Sequence, residues 1–203
     1  MPSKANIVST YALLVFIWAT TPLAIVWSVS DLHLFWALVL RFFIALPLAI
    51  MLLLILKVKF PTDQISWHSY LAGSFSLMGS QIFTYIATSY LSSGIIPLMF
   101  GLAPIMAGLI GYFGFKQRLS RLQWLGMVIS VAGLAIICFG GENQHIHPIG
   151  IGLMLMSVFT YALSIFWVKK VNAHIEPVAQ ATGSIFDSTI AAICMLPFIW
   201  QYA

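Results

Sequence analysis

Charged side chains are scarce in this sequence. They make up 7% of the 203 residues, whereas soluble globular domains carry about 25%. Hydrophobic residues make up 61% of the chain, and a soluble domain of this size would still expose much of its surface to water. The scarcity of charge therefore excludes a soluble globular domain and indicates that lipid surrounds most of the chain.

Cysteines and catalytic motifs are also few. The two cysteines, Cys138 and Cys194, have neither the spacing of a disulfide framework nor that of a metal site. The sequence contains no phosphate-binding loop, no G-x-S-G serine segment and no H-E-x-x-H zinc motif. The histidines lie at helix ends or in loops: His33, His68, His145, His147 and His174. We therefore expect no enzyme activity, no cofactor and no bound metal.

Long apolar runs occupy most of the chain. A helix needs about 20 residues to cross a hydrocarbon core of about 30 Å, and a backbone in lipid must satisfy its own hydrogen bonds. The alternating segments of a β-barrel are not seen. The sequence therefore predicts an all-α polytopic transmembrane helix bundle with seven helices. The predicted spans are Ile7–Trp27, His33–Leu56, His68–Leu91, Gly94–Phe115, Leu122–Gly140, Pro148–Val168 and Ala179–Tyr202.

Basic residues are distributed unevenly between the predicted loops. With a cytoplasmic N-terminus, every Lys and Arg except Arg41 falls on the cytoplasmic side, and the outer loops hold Asp31 and Glu142. The positive-inside rule predicts this asymmetry. We therefore expect a multi-pass protein of the inner (plasma) membrane whose N-terminus is cytoplasmic. The net charge of +4 follows from this bias and does not indicate nucleic acid binding.

A faint internal repeat appears when the chain is shifted by 140 positions. Thr20 and Trp27 then fall on Thr160 and Trp167. A repeat that restarts at the sixth helix begins after five crossings, so its second copy enters the membrane from the opposite side. That arrangement is typical of transporters with inverted topology, and a chance match between apolar helices is the alternative.

Three segments carry a family resemblance. The stretch from Ser93 reads SGIIPLMFGLAPIMAGLIGYFGFKQRLSRLQWLGMVISVAGLAII, the first helix contains WATTP, and the second contains LRFFIALPL. These segments resemble the EamA domain of the drug/metabolite transporter superfamily. The resemblance implies a first five-helix repeat over residues 7–140 and the beginning of an inverted second repeat, with two helices, over residues 148–203.

The chain departs from that family pattern in two respects. Members commonly carry a glutamate where this chain has Gln117, and the family has ten helices where this chain has about seven. We therefore interpret the sequence as a fragment or a truncated gene product, and we do not expect it to transport alone.

Polar and aromatic residues within the predicted spans are candidates for a substrate cavity. Prolines interrupt several helices, which indicates either kinks that shape the bundle or bends that line a cavity. Helix 3 carries a polar stripe from Ser74 to Ser92 that either bonds to neighbouring helices or faces water. Helices 1 and 6 would add aromatic walls. The cavity candidates are Trp18, Thr20, Thr21, Pro22, Gln81, Tyr85, Thr88, Pro104, Tyr161, Ser164 and Trp167.

Two ionisable residues lie at membrane depth, Arg41 in helix 2 and Asp187 in helix 7. The long side chain of Arg41 can extend toward the membrane surface, so a structural role competes with a functional one. Asp187 is the single carboxylate within a predicted span and is costly there when charged. Proton coupling through Asp187 is therefore a hypothesis, and a hydrogen-bonded structural aspartate is the alternative.

The resemblance implies a secondary transporter that exports or exchanges small metabolites, either amino-acid-like or otherwise amphipathic. A seven-helix receptor or sensor and an intramembrane enzyme are the alternatives. The expected partners are a small-molecule substrate and membrane lipid, with no nucleic acid. The sequence leaves open whether the protein forms a homodimer.

Overall fold

Helices account for nearly all regular structure in the computed structural model, which describes residues 4–140, 146–171 and 173–199. Within these ranges no strand is present, and the predicted all-α fold is confirmed. A π-helical turn, Phe75–Ser80, joins α3 to α4. The helices are α1 Lys4–Asp31, α2 Leu34–Ile55, α3 Gln64–Ser74, α4 Gln81–Ala87, α5 Ile95–Phe100, α6 Ala103–Phe115, α7 Arg121–Gly140, α8 Pro148–Val171 and α9 Pro177–Ile199.

The predicted crossings correspond to seven helical segments, because α3 and α4 form one segment with the π-helical turn and α5 with α6 form another. Among the described residues, five segments are long and apolar enough to span a membrane. The apolar part of α7, Arg121–Ile137, is shorter, and the α3–α4 segment contains many serines. The polytopic helix bundle is thus confirmed. The predicted helix end at Tyr202 and the loop residue Glu142 lie outside the described residues.

Local hydrogen bonds explain where two of the helices begin. The carboxylate of Asp63 accepts bonds from the Ser66 hydroxyl at 2.6 Å and the Ser66 backbone N–H at 3.1 Å, which caps α3. These bonds lower the pKa of the Asp63 carboxyl below its ordinary value. Before α7, the Ser120 backbone N–H donates to Gln123 Oε1 at 2.7 Å and the Gln123 N–H donates to Ser120 Oγ at 3.3 Å. This capping box gives Ser120 and Gln123, which belong to the family-like stretch, a structural role.

Two apolar clusters form the core. The first lies where α2 meets α4 and α9, around Leu38, Phe42 and Ala192. The second lies where α8 meets α4 and α5, around Ile96 and Met154. Every side chain from Val8 to Thr20 on α1 is exposed in the chain. The interior is therefore built by α2 to α5, α8 and α9, with α1 against its edge.

Polar contacts hold α3 against α9. Ser69 Oγ donates to Gln180 Oε1 at 2.7 Å, and Gln180 Nε2 donates to the Ser69 carbonyl at 2.9 Å. Ser184 Oγ donates to the Tyr70 carbonyl at 3.1 Å. Gly183 lies directly against the Tyr70 ring, so a side chain there would collide with it. Small residues that allow close approach, together with hydrogen bonds, are how helices associate in lipid.

Candidate functional site

A cavity of about 440 Å³ lies between α1, α2 and α4. Its volume falls within the range of about 300–1,000 Å³ that is typical of small-molecule sites. Four polar residues line it: Thr21 and Ser28 from α1, Arg41 from α2 and Tyr85 from α4. The apolar wall consists of Ala24, Ile25, Leu32, Ala37, Leu40 and Ile44. Three predicted candidates, Thr21, Arg41 and Tyr85, therefore meet around one space.

Arg41 brings a positive charge to this cavity. It is half-buried, and its Nη1 donates to Gln81 Oε1 at 3.0 Å. Gln81 is the first residue of α4, directly after the π-helical turn, and such turns often occur at functional sites. An arginine at the centre of a membrane helix costs about 2.5–3.5 kcal/mol on insertion scales. The hydrogen bond with Gln81 reduces that cost, which explains why Arg41 is found on this face of α2.

Tyr85 is one helical turn beyond Gln81 and is almost fully buried, with 2% of its surface exposed. Thr88 follows on the same helix, but its hydroxyl donates back to the Tyr85 carbonyl at 2.6 Å. The ring of Tyr85 therefore forms part of the inner wall of the cavity. The hydroxyl proton of Thr88 is used in the bond to the backbone of α4.

The hydroxyls on α1 present acceptors to the cavity. Thr21 Oγ1 donates to the Ile17 carbonyl at 2.6 Å, and Ser28 Oγ donates to the Ile25 carbonyl at 2.7 Å. A hydroxyl has one proton and two lone pairs, so each oxygen retains acceptor capacity after this bond. Thr20 makes a similar bond to Phe16 but is exposed, while Pro22 is buried. Donors from Arg41 and acceptors from α1 thus line the same apolar cavity.

A second feature is an aromatic cluster formed by Trp18, Phe100 and Tyr161. The ring centroids lie 6.3 Å apart for Trp18–Phe100, 6.4 Å for Trp18–Tyr161 and 6.2 Å for Phe100–Tyr161, with edge-to-face geometry. Trp18 and Tyr161 were predicted as cavity walls, whereas sequence analysis missed Phe100. The cluster connects α1 with α5 and α8.

Trp167 lies apart from that cluster. Its ring contacts Phe75 edge-to-face at 6.0 Å. It also lines a second cavity of about 480 Å³ near the C-terminal end of α8, together with Phe166 and Lys170. The aromatic residues predicted for a single cavity are therefore divided between three places: the cavity around Arg41 for Tyr85, the aromatic cluster for Trp18 and Tyr161, and the second cavity for Trp167.

Buried hydroxyl groups near the predicted polar stripe form hydrogen bonds between helices. Ser157 Oγ lies 2.8 Å from both Ser80 Oγ and Thr84 Oγ1, and all three residues are buried. Ser164 Oγ donates to the Ala72 carbonyl at 2.6 Å. Sequence analysis missed Ser80 and Thr84, although their spacing of four residues places them on one side of a helix. Tyr85 therefore lines the cavity, whereas the bonds to α8 come from Ser80 and Thr84, which were not predicted as members of the stripe.

The remaining candidates lie away from the cavity. Pro104 is exposed near the start of α6. Asp187 is half-buried on α9, and within the described chain no hydrogen bond or ion pair joins it to Arg41, whose bond goes to Gln81. No group of three or more His, Cys, Asp or Glu residues that could hold a metal ion is found among the described residues. The roles of all these residues remain predictions.

Several curated transporters are similar to this chain. An uncharacterized transporter of Buchnera aphidicola is 27% identical over 201 residues, which cover 97% of this chain and 66% of the relative. The uncharacterized transporter YvbV of Bacillus subtilis is 26% identical over 60% of this chain and 42% of its own length. A probable amino-acid metabolite efflux pump of Salmonella typhimurium is 26% identical over 60% of this chain and 40% of its own length. The chain thus spans less than two thirds of each of these relatives.

No solved structure matches the chain. The profile of the EamA-like transporter family, in contrast, matches residues 6–139, which contain α1 to α6 and nearly all of α7, and with them the cavity around Arg41. Because this match covers well over half of the 203 residues, the protein belongs to the EamA-like transporter family.

Proposed function

We propose that this chain forms the substrate-binding part of a secondary transporter in the inner (plasma) membrane, with its N-terminus in the cytoplasm. The transporter exports or exchanges small amphipathic metabolites, including amino-acid-like solutes. The observation that carries the proposal is the cavity in which Arg41, Thr21 and Tyr85 meet. Membership in a transporter family supports it, as does the similarity to a relative described as a probable amino-acid metabolite efflux pump.

The chemistry of the cavity suits a small amphipathic solute. Its apolar wall can accept a hydrocarbon side chain, because burying apolar surface contributes about 25 cal/mol per Å². The guanidinium of Arg41 supplies donors, and the hydroxyl oxygens of Thr21 and Ser28 supply acceptors. A solute with an apolar body and a polar end would therefore find partners for both parts.

An efflux assay tests this proposal. Cells expressing the gene product at its full encoded length are loaded with labelled amino acids and small amphipathic solutes, and efflux is compared with that of cells carrying an empty vector. We expect faster efflux of at least one solute, and a several-fold loss with Tyr85→Ala or Trp18→Ala. Ile136→Ala, on the exposed side of α7, is the matched control. Unchanged efflux with Tyr85→Ala would overturn the assignment of the cavity, and unchanged efflux with Trp18→Ala would exclude a role of the aromatic cluster in transport.

Proton coupling through Asp187 is the finer part of the proposal. Asp187 lies in the middle of the membrane-spanning helix α9, and ionisable residues at such depth often serve proton relays. Asp187→Asn keeps the shape of the side chain but cannot release a proton. We expect this variant to lose the dependence of efflux on an imposed proton gradient. If the gradient still drives its efflux as it drives that of the wild type, Asp187 is structural.

A further inference from the structure

Arg41 is a cation held by a neutral partner. The described bond of its guanidinium goes to the amide oxygen of Gln81 at 3.0 Å, which orients the group but leaves its charge uncompensated. Arg41 lies two turns into α2, about 10 Å from the start of the helix by helical rise. A charge removed from water requires a counter-charge or close hydrogen bonds, because its desolvation is costly.

No acidic side chain that the structure describes provides that counter-charge. Asp187, in the middle of α9, forms no hydrogen bond or ion pair with Arg41, whose described bond goes to Gln81. Arg41 therefore faces the cavity with a positive charge whose described partner is an amide.

The geometry of the side chain indicates which anion would fit. A guanidinium presents five N–H donors in a planar fork that matches a carboxylate with two parallel hydrogen bonds. Gln81 accepts from one of these donors, and no other hydrogen bond of the guanidinium is found among the described residues. The wall around Arg41 is mostly apolar, and a strongly hydrated dianion such as phosphate would lose more hydration there than one cation repays. A monocarboxylate with an apolar body suits these surroundings better.

We propose that Arg41, oriented by Gln81, binds the carboxylate group of the transported solute, so that the cavity selects monocarboxylates over neutral and cationic analogues. This inference rests on the proposed transport function, since it assigns the polar end of that solute to a particular side chain. Gln81 acts as a positioning residue, and Arg41 makes the contact.

Three probes with a common skeleton separate charge from shape: phenylpropionate, phenylpropionamide and phenylpropylamine. Their binding is measured by calorimetry on the full-length gene product in phosphatidylcholine nanodiscs. We expect phenylpropionate to bind about 10- to 100-fold more tightly than the amide, as a charge-assisted hydrogen-bonded pair would give. Arg41→Gln should remove this preference, and Arg41→Lys should keep only part of it because lysine lacks the planar fork.

Two further variants make the result specific. Gln81→Leu should weaken binding of phenylpropionate more than binding of the amide, since the orientation of the guanidinium is lost. Lys170→Gln is the matched control, because Lys170 is the cation on the wall of the second cavity; its preference should equal that of the wild type. Thermal unfolding of each variant identifies any loss of folding.

The outcomes distinguish this inference from the proposed function. If the wild type exports solutes but Arg41→Gln keeps the preference for the carboxylate, the inference is overturned and the transport function stands. If no solute is exported or bound, both fail. Adding phosphatidylglycerol to the nanodiscs tests a lipid phosphate as the ligand. If that lipid displaces phenylpropionate only when Arg41 is present, Arg41 binds lipid and the inference is overturned.

Discussion

Gly183→Ala should destabilise the protein because the added methyl group has no space. A Cβ built on Gly183 would lie 2.7 Å from Cδ2 of the Tyr70 ring and closer still to two other ring atoms. The ring cannot easily move away, since it stacks on Phe60 at a centroid distance of 5.1 Å and its hydroxyl donates to the Pro61 carbonyl at 2.9 Å. Tyr70 is also fully buried.

The size of this effect follows from comparison with other packing changes. Adding a methyl group to a well-packed core typically costs about 1–3 kcal/mol. We expect a value near the upper end for Gly183→Ala, because the neighbour is an aromatic ring fixed at both its face and its hydroxyl. Alanine favours helices over glycine by up to about 1 kcal/mol, which offsets part of the cost. The expected net destabilisation is about 1–2 kcal/mol.

The assay is thermal unfolding of purified protein in detergent, with Gly152→Ala on α8 as the matched control. Gly152 has no atom within 4 Å of the position of an added Cβ, so this variant should unfold at or slightly above the wild-type temperature. Gly183→Ala should unfold several degrees lower. Equal unfolding temperatures for the two variants would refute the close packing of α3 against α9.

Two other perturbations test the hydrogen bonds. Ser157→Ala removes the oxygen shared with Ser80 and Thr84. The loss should cost about 0.6–1.7 kcal/mol, from the average to the maximum for hydrogen bonds between membrane helices. Unfolding of this variant at the wild-type temperature would contradict the role of Ser157 in joining the helices. The lowered pKa of Asp63 means that its capping bonds to Ser66 add stability above the ordinary pKa of 3.8, and this contribution is lost as the pH falls through the lowered pKa. Asp63→Asn keeps a capping side chain but has no carboxylate, so its unfolding temperature should fall less than that of the wild type between about pH 6 and about pH 3. An equal fall in both proteins would contradict the contribution of the Asp63 carboxylate to stability.

The helices could be predicted from the sequence because hydropathy and length determine which segments cross a membrane. The π-helical turn Phe75–Ser80 could not, since its residues are ordinary for a membrane helix. The π-helical turn contains one more residue per turn than an α-helix, so the angular positions of side chains expected at about 100° per residue do not hold across it. The stripe from Ser74 to Ser92 was predicted as one face, but Ser74 lies before the turn and donates to the Leu71 carbonyl, whereas Tyr85 lies beyond it and lines the cavity.

Side-chain partners were harder to predict than the residues themselves. Arg41 and Gln81 were both identified, but periodicity within one helix does not indicate which helices are neighbours. Trp167 was assigned to the same cavity as Trp18 because both are aromatic and lie within spans, yet they lie on different helices and contact different rings. Phe100 was overlooked because a phenylalanine in a membrane helix has no distinctive pattern.

The contact between α3 and α9 has a consequence for synthesis. Ser69 and its partner Gln180 are separated by 111 residues, and at about 5–20 residues per second the ribosome needs roughly 5–22 s to cover that distance. Throughout this interval the serine-rich face of α3 has entered the membrane without its final partner. The insertion machinery, lipid headgroups or other early helices must satisfy that face until α9 arrives, so this interval is when the nascent chain is most exposed to mispairing and to proteolysis.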